Sequence, residues 1–167
     1  MTTRADAGIY AYHIQLAEET FLNARFRDAR LHSFIAYEAA VTLFDLLPCH
    51  CTPEEVPAAL LRATKAVSRS CKIIEDWQTE QDYCLNSHDL LMAASINFSQ
   101  SESFRRACYE ALPQSLDQVE DALDQPTDLS VLIAVREQTA LTLRYFAPEA
   151  RQQESKQERQ SQLRRWK

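Results

Sequence analysis

The chain has 167 residues, 46% of them hydrophobic and 25% charged, with a formal charge of −6. That is one soluble-type domain's worth of sequence. Gly8 is its only glycine, which excludes phosphate-cradling P-loops, dinucleotide fingerprints, kinase Gly-rich loops and nucleophile elbows, and disfavours glycine-dependent hairpins. The charge is uneven: residues 151–167 carry six cations and two acids, a net +4, leaving −10 on residues 1–150. Nucleic acid is therefore an unfavoured partner for the body.

Apolar spacing is helical almost throughout. A first helix is predicted from Asp6 to Asn23, with Ile9, Tyr12, Leu16 and Thr20 on one stripe. A second begins near Asp28, carries Leu31, Phe34, Ile35, Val41, Phe44 and Leu47, and ends at Pro48. Thr52-Pro53-Glu54-Glu55 reads as a capping box that starts a third helix. Its stripe is Val56, Leu60, Ala63, Val67, Cys71 (or Ser70), Ile74 and Trp77. A polar break is predicted at Thr79 to Asp82, then a shorter helix from Ser87 to Asn97. Ser99 to Glu102 is a second capping box. It opens a helix that Pro113 kinks or restarts, continuing through Leu116, Val119 and Leu123. The last core helix is predicted from Asp128 to Phe146, with Leu129, Leu132, Ile133, Ala140 and Leu143 inward. The expected fold is all-α: a bundle of about six antiparallel helices over residues 1–147, followed by a basic tail, 148–167, helical or disordered.

Five cysteines, an odd number, and no apolar leader or stretch of 18 apolar residues lead to free thiols, a cytoplasmic reducing compartment and no membrane. Cys49 and Cys51 with Cys84 and His88 form a weak zinc pattern, three thiols and an imidazole. The alternative is that Cys84 is a small buried hydrophobe. No cofactor is expected. Ser87-His88-Asp89-Leu90 resembles the start of a histidine phospho-acceptor box, which would make His88 the acceptor; the same residues also read as a helix start.

Phe26 to Ala40, with Leu16-Ala17-Glu18 before it, resembles the first helical hairpin of HEPN domains. That resemblance implies a small helical bundle and, in some members, metal-independent RNA cleavage by an Arg-x4–6-His pair near a dimer interface. Arg27 and His32 have that spacing. The hairpin is also similar to tetratricopeptide or MIT-type helix pairs, with Leu16, Ala17, Ala29 and Ala36 at close-approach positions. The favoured expectation is a non-enzymatic protein-interaction module, an adaptor, chaperone or inhibitor. Arg164, Arg165 and Trp166 of the tail are its candidate partner contacts, and a homodimer would use an unpaired helical face. The alternatives are a HEPN-like nuclease or nucleotide binder, and a histidine phosphotransferase.

Overall fold

The computed structural model describes residues 3–46, 52, 54–124 and 128–146. Among these there are six helices and no strands: α1 Thr3–Leu22, α2 Phe26–Leu46, α3 Glu55–Ile73, α4 Trp77–Ile96, α5 Glu102–Ala122 and α6 Leu129–Tyr145. Cys49, Cys51, Arg164, Arg165 and Trp166 lie outside the described residues, as does the whole tail.

Each helix packs on its chain neighbour, and α3 also touches α1 on one side and α5 on the other. The core runs along α3, where Val56, Leu60, Ala63, Val67 and Cys71 are all buried, as their threes-and-fours spacing requires. Tyr37, Leu43 and Phe44 of α2, Leu91 and Met92 of α4, and Phe104, Cys108 and Leu112 of α5 close over them. The α1–α2 seam is built differently. Ala17, Ala29, Ser33 and Ala36 are buried there while Ile9, Tyr12 and Leu31 are exposed. Small side chains let two backbones approach closely, so the close-approach positions form the seam and the large apolar residues are left outside.

Polar pairs lie at several buried crossings. Ser33 meets Ser70 at 3.2 Å between α2 and α3, and Thr64 meets Ser87 at 2.7 Å between α3 and α4. Tyr37 accepts hydrogen bonds from Asn86 and Ser87 across α2 and α4. Each hydroxyl in such a place needs a partner, because an unmet buried donor costs about 1–3 kcal/mol.

Several boundaries differ from the sequence expectation. The break before α4 falls at Ile74 to Asp76, so Thr79 to Asp82 are helical and α4 begins ten residues earlier than Ser87. Ile74 and Trp77 consequently leave the core. Asp76 caps α4 by accepting from the Thr79 amide, and its other oxygen binds Arg30 at 2.6 Å. Of the Thr52–Glu55 capping box, the return bond forms: the Thr52 amide donates to the Glu55 carboxylate at 2.8 Å. The cap of α5 is Ser101 rather than Ser99, which instead bonds Asn97. α5 runs unbroken through Pro113. A proline inside a helix costs about 3 kcal/mol, and burial of Cys108, Leu112, Ser115 and Val119 on either side outweighs it. On α6, Thr139 and Thr142 are the buried positions, whereas Leu129 and Ile133 face solvent.

Both short hairpin turns end their helix in the same way. The Arg25 amide reaches the Thr20 carbonyl and the Ala24 amide the Phe21 carbonyl; Asp76 and Glu75 repeat the pattern onto Cys71 and Lys72. This double bond ties off the last turn and demands a left-handed residue. Ala24 at φ 57° and Glu75 at φ 59° fill that position, where a Cβ costs about 1–2 kcal/mol. Ala24→Gly and Glu75→Gly are each expected to raise stability by about 0.5–1 kcal/mol after glycine's greater unfolded-state entropy is deducted. Urea denaturation of each variant checks this; a loss of stability in both would contradict the turn geometry.

Candidate functional site

α3 is covered on three sides. Its core stripe faces α2 and α4. Leu61 on one flank, and Ala59 and Ser70 on the other, are also buried. What remains open is a strip on the opposite face, and it carries Arg62, Lys65 and Arg69, spaced three and four apart. With α1 and α5 standing on either side, this strip is the floor of a groove.

Three depressions make up the groove. One of about 300 Å³ is bordered by Glu18 and Phe21 of α1, Arg62, Lys65 and Arg69 of α3, and Gln114 of α5. A second of about 270 Å³ lies toward α5, between Leu61, Arg62, Ala107 and Glu110. The third, about 360 Å³, lies toward α1 between Tyr10, Leu43, Val56 and Arg62. Arg62 borders all three. Tyr10 brings a hydroxyl that is buried with no hydrogen-bond partner among the described residues. Burial holds that phenol above its ordinary range, with Arg62 pulling it down and Glu18 pushing it up.

The cations of this strip, like Arg27, Arg105 and Arg144, are without an ion pair among the described residues. Arg25, Arg30, Lys72, Arg106 and Arg136 each pair with a carboxylate. Of the strip's three, Arg69 lies over the Phe21 ring at 3.7 Å. Nothing in the sequence reading singled them out. Their three-four spacing opposite the core stripe was visible, but the walls supplied by α1 and α5 were not.

The structure separates the residues of the other candidate sites. Arg27 is exposed and lies five residues from His32, which places the two about 140° apart around α2. Neither borders the groove. His32 instead meets His13 of α1, with the two Nδ1 atoms 3.0 Å apart. His88 is fully buried. Its Nδ1 meets the Ser115 hydroxyl at 3.1 Å and its Nε2 the Thr139 hydroxyl at 2.8 Å. Both ring nitrogens are thus engaged inside the core, and neither is open to a phosphodonor; nor does Ser87, itself buried in mid-helix, start a helix there. Thr139 donates its hydrogen to the Val135 carbonyl, so His88 Nε2–H is the donor to Thr139 and Nδ1 accepts from Ser115.

For the zinc pattern, Cys84 is buried and its thiol is pushed up to about 12 by that burial, which opposes the thiolate a metal needs. Cys71 at about 11 and Cys108 at about 12 follow the same cause. No group of three or more His, Cys, Asp or Glu side chains among the described residues is placed to hold a metal.

Burial also pulls His88 below its ordinary value of 6.5, a shift that Asp89 partly offsets. The unfolded chain therefore binds a proton that the folded chain refuses. Stability contributed by the neutral ring is complete above about pH 6.5 and is lost as pH falls from there toward the lowered folded value. His88→Leu removes this dependence. The wild-type chain is expected to lose more stability than the variant between about pH 6.5 and 5 in urea titrations; parallel losses would show that His88 does not resist protonation.

No family model, curated protein or solved structure matches the chain. Among the described residues no helix is long and apolar enough to cross a membrane.

Proposed function

We propose that this chain is a non-enzymatic protein-interaction module that takes an acidic, extended segment of a partner protein along α3. The observation that carries this reading is the row Arg62, Lys65 and Arg69, without an ion pair among the described residues in a chain of net charge −6 and set between α1 and α5. The row spans about 10 Å at 1.5 Å per helical residue. An extended strand places same-side carboxylates about 7 Å apart, so alternate acids meet these flexible cations. Each depression has the volume of a few residues, whereas a helix about 10 Å across needs a wider trough.

The chain's own tail, at +4, is repelled by this floor. A polyphosphate is disfavoured for the reverse reason: the body carries −10, and Glu18, Glu54, Glu55 and Glu110 border the depressions. Discrete carboxylates set between those acids satisfy the floor without meeting the rim.

The test is fluorescence anisotropy with a labelled peptide of alternating glutamate and serine, competed by a short single-stranded RNA. Saturable binding that salt weakens and RNA does not displace supports the reading. Absence of peptide binding, or displacement by RNA at equal concentration, overturns it.

A further inference from the structure

The seam between α1 and α2 holds a second feature, independent of the groove. His13 and His32 stand on facing helices, each partly open to solvent. Their Nδ1 atoms are 3.0 Å apart, with ring centroids at 5.1 Å and planes inclined by 37°. Two imidazole lone pairs at that distance repel unless something sits between them. A shared hydrogen sits there: one Nδ1–H donates to the other Nδ1.

The positions are held from below. Ala17 follows His13 by one helical turn and Ser33 follows His32 directly, and with Ala29 and Ala36 they are buried in the seam. The Tyr12 and His13 rings meet edge to face, with centroids 5.2 Å apart. The rings therefore sit on rigid, closely packed helices rather than on a loop.

We propose that His13 and His32 form a chelating site for a late divalent transition-metal ion, copper(II) or nickel(II), bound through both Nδ1 atoms. The argument is the bite. Metal–imidazole bonds of about 2.0–2.1 Å place two ligands at right angles about 2.9 Å apart, and two tetrahedral ligands about 3.3 Å apart. The 3.0 Å separation set by the shared hydrogen lies close to the right-angled pair, so copper(II) or nickel(II), which prefer that geometry, need little movement of the rings. Binding moves the shared hydrogen from Nδ1 to the outer Nε2 of the same ring through solvent, so both Nδ1 lone pairs face the ion. Water fills the other coordination positions.

The experiment uses the full chain with nickel(II) in calorimetric titration and copper(II) in electron paramagnetic resonance. One ion per chain is expected, with hyperfine structure from two nitrogens. His13→Gln and His32→Gln are each expected to weaken binding at least about tenfold. His50→Gln, which removes the histidine between Cys49 and Cys51, leaves it unchanged. As a second readout, nickel(II) raises the melting temperature of the wild-type chain and of His50→Gln, but not of either seam variant. Binding that survives either seam variant, or that disappears with His50→Gln, overturns the proposal.

Discussion

Phe104→Ala is expected to remove about 3–5 kcal/mol of stability, the range for emptying a buried aromatic site. The side chain is 1% exposed and its ring meets Phe44 of α2 edge-on, with centroids 5.2 Å apart. It therefore joins the start of α5 to the far end of α2 through the core. Its own amide is the one that the Ser101 side chain caps, so the residue fixes both where α5 begins and what it packs on. Neighbouring side chains cannot refill the space easily, because Leu60, Leu91 and Leu112 are themselves fully buried and held by their own helices. A domain of this size holds about 5–15 kcal/mol in all, so the variant loses a large fraction of it. Urea denaturation with an unchanged slope measures the loss. A value under about 1 kcal/mol would mean that α5 does not dock through this ring.

How far the sequence carries the fold depends on what each helix packs with. α3 was legible because it is central: Val56, Leu60, Ala63, Val67 and Cys71 face large apolar neighbours, so the periodicity and the burial coincide. α1 and α2 were legible as helices, and Ala17, Ala29 and Ala36 as close-approach positions, but the large apolar stripe pointed to the wrong face: Tyr12 and Leu31 point to water. α6 fails for a related reason. It is apolar nearly all round, so no stripe in its sequence says that Thr139 and Thr142 go in while Leu129, Ile133 and Leu141 stay out. The turn at Glu75 carries no glycine or proline, and a left-handed glutamate leaves no mark in composition. His88 was noticed for its neighbours Ser87 and Asp89. Its real partners, Ser115 and Thr139, are 27 and 51 residues away, beyond any local pattern. The same distance problem hid the seam pair: His13 and His32 are 19 residues apart, and only the α1–α2 turn brings them together.

Reversing the charge of the groove floor is expected to abolish peptide binding while leaving the fold intact. In Arg62→Glu with Arg69→Glu, two cations that meet carboxylates become groups that repel them. A charged hydrogen bond contributes about 1.5–3 kcal/mol. Losing two therefore weakens an acidic peptide by at least about 100-fold, since each factor of ten corresponds to about 1.4 kcal/mol. Both side chains are exposed and without an ion pair among the described residues, so the core along the other face of α3 is untouched. The one local loss is the stacking of Arg69 on Phe21, a contribution of about 0.5–1 kcal/mol at an exposed site. Arg62→Met with Arg69→Met separates the two causes: it removes the attraction without adding repulsion, and its binding should fall between wild type and the reversed variant. Glu110→Lys acts in the opposite direction. It borders the depression between α3 and α5, and a cation there is expected to tighten the same peptide a few-fold at low salt, with the gain fading as the Debye length contracts to about 8 Å near physiological ionic strength. Tightening by Glu110→Lys, together with loss on reversal, is a signature that a merely structural role for these arginines does not produce. Equal affinity for all four proteins would remove the groove from consideration as the docking face.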